Sequence, residues 1–350
     1  MRKNSISSYK IAAIYIGTVV GAGFASGQEI LQFFVYHGKK GILGLLIVTL
    51  LFVFYGNAIL FLGNCFRASS YKKVVFEIAG PIIGKVIDIV IAFFLFGALS
   101  AMIAGAGAIF KEQYCLPYFL GSLIMAVLAV LTVIRGMEGV ISAISSVVPL
   151  LLTAVIVLSI LAIFYLPGEI YKNFFATEIK PPVKNFILSA ILYASYNLLT
   201  AAAVLIPLGS EVENIEGIRK GALLGGIGLG TMSFLMFFAL IKTPFSFFFE
   251  VPMLYIASRI SPFFKFVYTL ILIGEIYTTA VGNLYGFVVR FVASESKRFY
   301  IFTVITGGIA LVSSRVGFAN LVHHVYPIAG YGGLILLLSI TYKLNNCRKM

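Results

Sequence analysis

The chain has 350 residues, of which 60% are hydrophobic and 11% charged, and its mean hydropathy is +1.03. A soluble domain carries about 45–50% apolar and about 25% charged residues, so these values exclude a water-soluble globular fold and predict an all-α polytopic membrane protein. The net charge of +13 comes without a long basic tract; this argues against nucleic-acid binding and assigns Lys and Arg to helix ends and anionic lipid. At about 20 residues per span the length holds roughly ten helices. The apolar runs are continuous, whereas a β-barrel would alternate.

The first span is predicted over 9–36. The basic start, 1–10, is not followed by a short apolar core with a small-residue cleavage site, so the helix reads as retained. Its interior is irregular: Gly17, Gly21, Gly23 and Gly27 are followed by Gln28 and Glu29. Each glycine costs about 1 kcal/mol against alanine in a helix. Several together open the helix, and each exposed N–H or C=O costs several kcal/mol in lipid unless something binds it. Two readings follow, a ligand held by open backbone or a close-packed small-residue interface. In the first reading the N–H groups of Ala22, Gly23 and Phe24 would hold an anion such as a substrate carboxylate. The carbonyl end near Val20 would favour a cation.

Span two is predicted over 41–64 and a polar connection over 67–80, with Lys72, Lys73 and Glu77. Span three begins at Pro81, a good first-turn residue, and runs to 110. It carries Asp88, with Lys85 one turn away as a possible partner. Span four covers 118–134, a short polar loop 135–139, and span five 140–166 with a kink at Pro149. The polar interval 167–185, with Pro181-Pro182, reads as a boundary between two halves.

Span six, 186–209, has a polar cluster at mid-depth, Tyr193-Ala194-Ser195-Tyr196-Asn197-Leu198-Leu199-Thr200. Span seven covers 221–241 with Gly225, Gly226, Gly228 and Gly230 near its start. The stretch 245–262 is amphipathic and broken by proline, as in a re-entrant or interfacial helix. Span eight, 263–291, carries Glu275, Thr278, Thr279 and Asn283. Span nine covers 299–312. Span ten, 318–342, is predicted to be interrupted at Pro327 and Gly330-Tyr331-Gly332-Gly333.

Ten spans divide five and five, 9–166 and 186–342, within one transmembrane domain. An odd number per half inverts the second half, and both halves open on an interrupted helix, spans one and six. Paired interruptions point to a transporter site at the bilayer midplane. With the N-terminus inside, about sixteen of the 26 Lys and Arg fall on inner loops, including Arg2, Lys3, Arg348 and Lys349, so both termini are predicted cytoplasmic, in the cell membrane. Cys65, Cys115 and Cys347 lie far apart with no metal spacing, and His37, His323 and His324 lie near span ends. No His-Glu-x-x-His or Gly-x-Ser-x-Gly motif is present, so an intramembrane enzyme is not expected.

The run Gly21-Ala22-Gly23-Phe24-Ala25-Ser26-Gly27-Gln28-Glu29, with Tyr193-Ala194-Ser195-Tyr196-Asn197, resembles the YkvI-type family of bacterial membrane proteins. That family resembles the amino acid–polyamine–organocation superfamily with its LeuT-like 5+5 inverted repeat, helices 1 and 6 interrupted. The resemblance covers essentially the whole chain. It implies a secondary transporter of a small amine- or carboxylate-bearing solute, such as an amino acid, driven by sodium or protons. In sodium-coupled relatives a site joins span-one carbonyls to span-eight hydroxyls; the matching residues here are Gly17, Val20, Thr278 and Thr279. Some proton-coupled relatives place a span-five lysine there, where this chain has Ser142, Ser145 and Ser146, which favours sodium. A second sodium site in some relatives needs an asparagine where this chain has Phe24.

Glu275 is the most informative single residue, because a carboxylate at mid-span costs roughly 2.5–3.5 kcal/mol and should face the bundle interior. It binds a cation, carries a proton, contacts a substrate amine, or pairs with a neighbouring helix. Glu29 lines an outer vestibule or caps its own helix. Ser195, Tyr196 and Asn197 supply donors and acceptors opposite the span-one break, with Phe24, Tyr193 and Tyr196 as aromatic cover. The expected class is thus a sodium-coupled symporter working by alternating access, with proton coupling through Glu275 as one alternative. A second is a nutrient receptor on the same scaffold, as in spore germination proteins. No cofactor is expected beyond the coupling ion, and the partners are a small solute and the lipid bilayer.

Overall fold

In lipid every backbone polar group must be satisfied within its own segment, which turns continuous apolar runs into helices. The computed structural model describes residues 6–68, 70–135, 148–168, 180–293 and 296–347, and every regular element among them is helical. The first span is three short helices: α1 (Ser8–Val19), α2 (Ala22–Ser26) and α3 (Gln28–Phe33). Ser7 caps α1 by accepting from the Lys10 N–H at 3.3 Å. Val20 and Gly21 are extended, with ψ of 104° and −173°. Gly27 has φ of 87°, a left-handed conformation that glycine adopts without a Cβ clash.

A 3-10 turn over Val35–His37 leads into α4 (Lys39–Phe66). Next comes α5 (Tyr71–Tyr114), whose 44 residues would measure about 66 Å as one rod, twice the hydrocarbon core. It is divided at Gly80, with φ of 77°, immediately before Pro81. The span therefore starts at Pro81 as predicted, but the connection read as a polar loop is helical from Tyr71. α6 (Tyr118–Ile134) and α7 (Val148–Tyr165) complete the first half. The predicted loop and the start of span five, with Ser142, Ser145 and Ser146, fall on 136–147, outside the described residues. So do Arg2, Lys3, Arg348, Lys349 and the interval 169–179.

The second half holds α8 (Phe186–Glu211), α9 (Ile215–Lys242), α10 (Pro252–Ile260), α11 (Pro262–Val288), α12 (Lys297–Ser313) and α13 (Phe318–Cys347). Among the described residues seven helices are long and apolar enough to cross a membrane, and α6 and α7 are shorter apolar helices. With the divided first span these make the roughly ten passes that the length allows.

Two expected interruptions are absent. Span six, as α8, runs unbroken. Its polar side chains bond back to their own helix: Ser195 Oγ donates to the Ile191 carbonyl at 2.6 Å, and Asn197 Nδ2 to that of Tyr193 at 3.0 Å. Satisfied in this way, they leave the backbone ladder closed. Span ten, as α13, is also continuous through Pro327 and its glycines. Those glycines serve helix approach instead: a Cβ on Gly333 would lie 2.4 Å from the Ser195 carbonyl oxygen of α8. The same logic governs α4 against α8, where a Cβ on Gly63 or Gly209 would lie 2.1 Å from the carbonyl oxygen of Ile206 or Leu60, the close approach that small residues permit in membranes. The helices of the two halves interlock, α1 on α9, α4 on α8 and α9, and α5 on α11 and α13.

Candidate functional site

The break in the first span supplies the first wall of the site. The extended Val20 and Gly21 separate the last turn of α1 from α2, so the carbonyls of Gly17, Thr18, Val19 and Val20 accept no backbone N–H among the described residues. All four residues line a cavity of about 370 Å³, together with Gly21, Ala22 and Gly23 on the other side of the break. Helix α8 adds Tyr196, Asn197 and Thr200, and α11 adds Glu275, Thr278, Thr279 and Asn283. Phe94 and Met102 of α5 and Tyr326 of α13 close the remaining sides.

Glu29 reaches this cavity because the left-handed turn at Gly27 redirects the chain. Its carboxylate comes back over α2, and a Cβ on Gly23 would lie 2.2 Å from Glu29 Oε1. Glu29 Oε2 accepts a hydrogen bond of 2.5 Å from the Tyr196 hydroxyl. Both side chains are buried. The first turn of α2, where the sequence predicts a substrate carboxylate, therefore stands beside the chain's own carboxylate. Glu29 lines the central cavity and joins α3 to α8; it does not cap its own helix.

Glu275 is 4% exposed. The Thr279 hydroxyl donates to its Oε1 at 3.4 Å, while its Oε2 is buried without a hydrogen-bond partner. The Thr278 hydroxyl donates to the Glu275 backbone carbonyl at 3.0 Å. Thr279 faces the break, since a Cβ on Gly21 would be 3.9 Å from its Oγ1. Carbonyls, hydroxyls and a carboxylate thus converge on one cavity, a set of hard oxygen donors suited to an alkali cation. Among the described residues no group of three or more His, Cys, Asp and Glu could hold a metal ion.

Three expected residues lie elsewhere. Phe24 is buried away from the cavity, and Ser195 is turned into its own helix beneath Gly333. Tyr193 is packed against Phe33, Phe34 and Phe52, with ring centroids 5.4, 4.9 and 6.1 Å away. The rings that do line the cavity are Phe94, Tyr196 and Tyr326. Phe94 and Tyr326 sit in apolar runs that offer no sequence signal. Asp88 is outside the cavity: it pairs with Arg290, just past the end of α11, and, at 3.1 Å, with Lys72, while Lys85 is exposed.

The cavity extends from the break along α8 to Val204 and along α11 to Asn283, toward the ends that carry Glu211 and Val288. Side-chain bonds close the opposite side. Gln28 donates to the Phe249 carbonyl at 3.0 Å and Gln32 to the Ala319 carbonyl at 2.9 Å. The Glu250 carboxylate accepts from the Phe318 N–H at 2.5 Å, and the Glu250 N–H donates to Glu112 Oε1 at 2.7 Å.

The arrangement of the helices has the LeuT-like fold, as the solved structures that match it show. MhsT in complex with L-phenylalanine matches with a TM-score of 0.56 at 17% identity, over 94% of this chain and 87% of that one. The Eremococcus coleocola manganese transporter matches with a TM-score of 0.55 at 12% identity, over 96% and 77%. Mhp1 in its inward-facing conformation gives 0.53 at 11% identity, over 88% and 70%. No protein-family model matches the chain. The membrane protein YkvI of Bacillus subtilis (strain 168) is 32% identical over 346 residues, 98% of each chain. YyaD of the same organism is 26% identical over 329 residues, 93% of this chain and 94% of that one. The chain belongs to the YkvI family of multi-pass membrane proteins.

Proposed function

We propose that this YkvI-family protein is a secondary active transporter that moves a small organic solute across the cell membrane by alternating access, coupled to sodium. The observation that carries the reading is the broken first span, whose unpaired carbonyls share one central cavity with side chains of α5, α8, α11 and α13. Backbone opened at membrane depth is expensive unless it serves a bound ligand. The ion is held by the carbonyls of Gly17 and Val20, the hydroxyls of Thr278 and Thr279, and Glu275. The solute lies between Gly21–Gly23 and Tyr196–Asn197. With both termini cytoplasmic, the cavity faces the cytoplasm. Opening to the outside then requires the bonds made by Gln28, Gln32 and Glu250 to break.

The test is a thermal-unfolding scan of purified protein in sodium chloride against choline chloride. Ligand at a hundredfold excess over Kd stabilises the folded state by about 2.7 kcal/mol. A sodium-specific rise in Tm, lost in Thr278→Ala/Thr279→Ala, supports the coupling site. The unpartnered Glu275 Oε2 favours proton coupling as the second reading. No sodium effect, together with solute binding that follows pH and is lost in Glu275→Gln, selects it.

A further inference from the structure

The side chains lining the central cavity include two carboxylates, Glu29 and Glu275, and no Lys, Arg or His. Acidic residues alone do not define a site, but one of these is visibly incomplete. Glu275 Oε2 is buried without a partner in a residue 4% exposed that lines the cavity. Buried carboxylate oxygens need donors or counter-charges. The Glu29 carboxylate already has tyrosine hydroxyls beside it, Tyr196 on Oε2 and Tyr193 close by, but no counter-charge among the residues that line the cavity.

The second independent feature is aromatic. The rings of Phe94, Tyr196 and Tyr326 all line the cavity. They touch one another, with centroid separations of 5.6 Å for Phe94–Tyr196, 5.3 Å for Phe94–Tyr326 and 5.1 Å for Tyr196–Tyr326. Tyr196 belongs to both sets, since its hydroxyl is the one bonded to Glu29. A buried carboxylate set among aromatic rings is chemistry that recognises an ammonium group.

We propose that the solute is a small organic cation, an amine without a free carboxylate. Its ammonium sits against the Glu29 carboxylate, beside the ring cluster of Phe94, Tyr196 and Tyr326. With sodium at Glu275, two cations balance two carboxylates. A zwitterionic amino acid would bring a third carboxylate into a cavity whose lining offers no basic side chain to meet it, and like charges at short range beside buried carboxylates repel. A cavity of about 370 Å³ is of the size that small-molecule ligands fill. The inference rests on the transport reading only in calling the ligand a transported solute; the binding chemistry stands apart from it.

The experiment uses the full-length protein in nanodiscs at fixed sodium and three matched pairs, each differing by one carboxylate. The pairs are isopentylamine and leucine, 2-phenylethylamine and phenylalanine, and 1,4-diaminobutane and ornithine. Thermal shift and calorimetry read binding. At least one amine should raise Tm where its amino acid does not, and Glu29→Gln should weaken that amine roughly ten- to hundredfold. Phe94→Leu, which leaves both carboxylates in place, should weaken it several-fold and decides the matter if Glu29→Gln does not fold. The proposal is overturned if no amine binds, if the amino acids bind as well as or better than their amines, or if amine affinity is unchanged in the folded variants. Uptake into proteoliposomes separates the two claims. An amine that binds but is not carried sinks the transport reading alone, and an amino acid that is carried while no amine binds sinks the charge assignment alone.

Discussion

Replacing Tyr196 by Phe isolates the contact that ties the broken span to α8. The hydroxyl donates to Glu29 Oε2 at 2.5 Å, and both residues are buried, at 2% and 5% exposure. The ring packs against Phe33, Phe94, Tyr193 and Tyr326, and phenylalanine keeps that packing, so the loss is the hydrogen bond alone. Interhelical side-chain hydrogen bonds in membrane bundles average about 0.6 kcal/mol and reach about 1.7. Hydrogen bonds to charged groups run to about 1.5–3 kcal/mol. The expected loss is therefore about 1.5–2 kcal/mol. Equilibrium unfolding in mixed detergent, followed by circular dichroism, measures it. Tyr326→Phe is the control, because its hydroxyl makes no hydrogen bond among the described residues. It should change stability by less than about 0.5 kcal/mol, the usual range for a substitution that disturbs no buried partner. Equal effects of the two variants would refute the reasoning, since Glu29 would then gain nothing particular from Tyr196.

The α4–α8 crossing is set by backbone contact, so Gly63→Val, whose Cβ would fall 2.1 Å from the Ile206 carbonyl oxygen, should cost about 3 kcal/mol or abolish folding, read as loss of the monodisperse peak in size-exclusion chromatography. Gly308→Ala in α12 has nothing within 4 Å of the new Cβ and should raise stability by about 0.5–1 kcal/mol through helix propensity, measured as a higher Tm. Arg290 contacts Asp88 and donates to the Tyr71 hydroxyl at 2.6 Å, which holds the helical segment before Gly80 against α5 and α11. Arg290→Ala leaves Asp88 with Lys72 as its remaining cation, so the loss should stay near 1–2 kcal/mol, below the 3–5 of a fully buried pair. Faster proteolysis within residues 71–79 would report it.

The membrane class and the position of the first break are legible in the sequence because both follow from local composition. Clustered glycines followed by Gln28 and Glu29 have few uses in a lipid-spanning helix, and Glu275 stands alone in an apolar run. The polar cluster of span six looks like a second break but is not one, because Ser195 and Asn197 find acceptors one turn back in the same helix. The glycines of span ten look the same in sequence, yet they answer to the surface of α8, which only the packed structure reveals. Glu29 reaches the cavity through the single left-handed residue at Gly27, so its two sequence readings could not be separated beforehand. Asp88 takes its partner from 202 positions away, where spacing on one helix gives no guidance. Phe94 and Tyr326 are ordinary aromatic residues in apolar helices until the fold brings their rings to 5.3 Å.

Alternating access around the broken span is the central claim, and cavity accessibility tests it without knowledge of the solute. Thr200→Cys, in a background with Cys65, Cys115 and Cys347 replaced by Ser, places a thiol in the cavity wall. A membrane-impermeant maleimide is applied to right-side-out and inside-out vesicles, in sodium and in choline. The account predicts labelling from both faces, with sodium shifting the ratio between them. Labelling from one face only under every condition would contradict it.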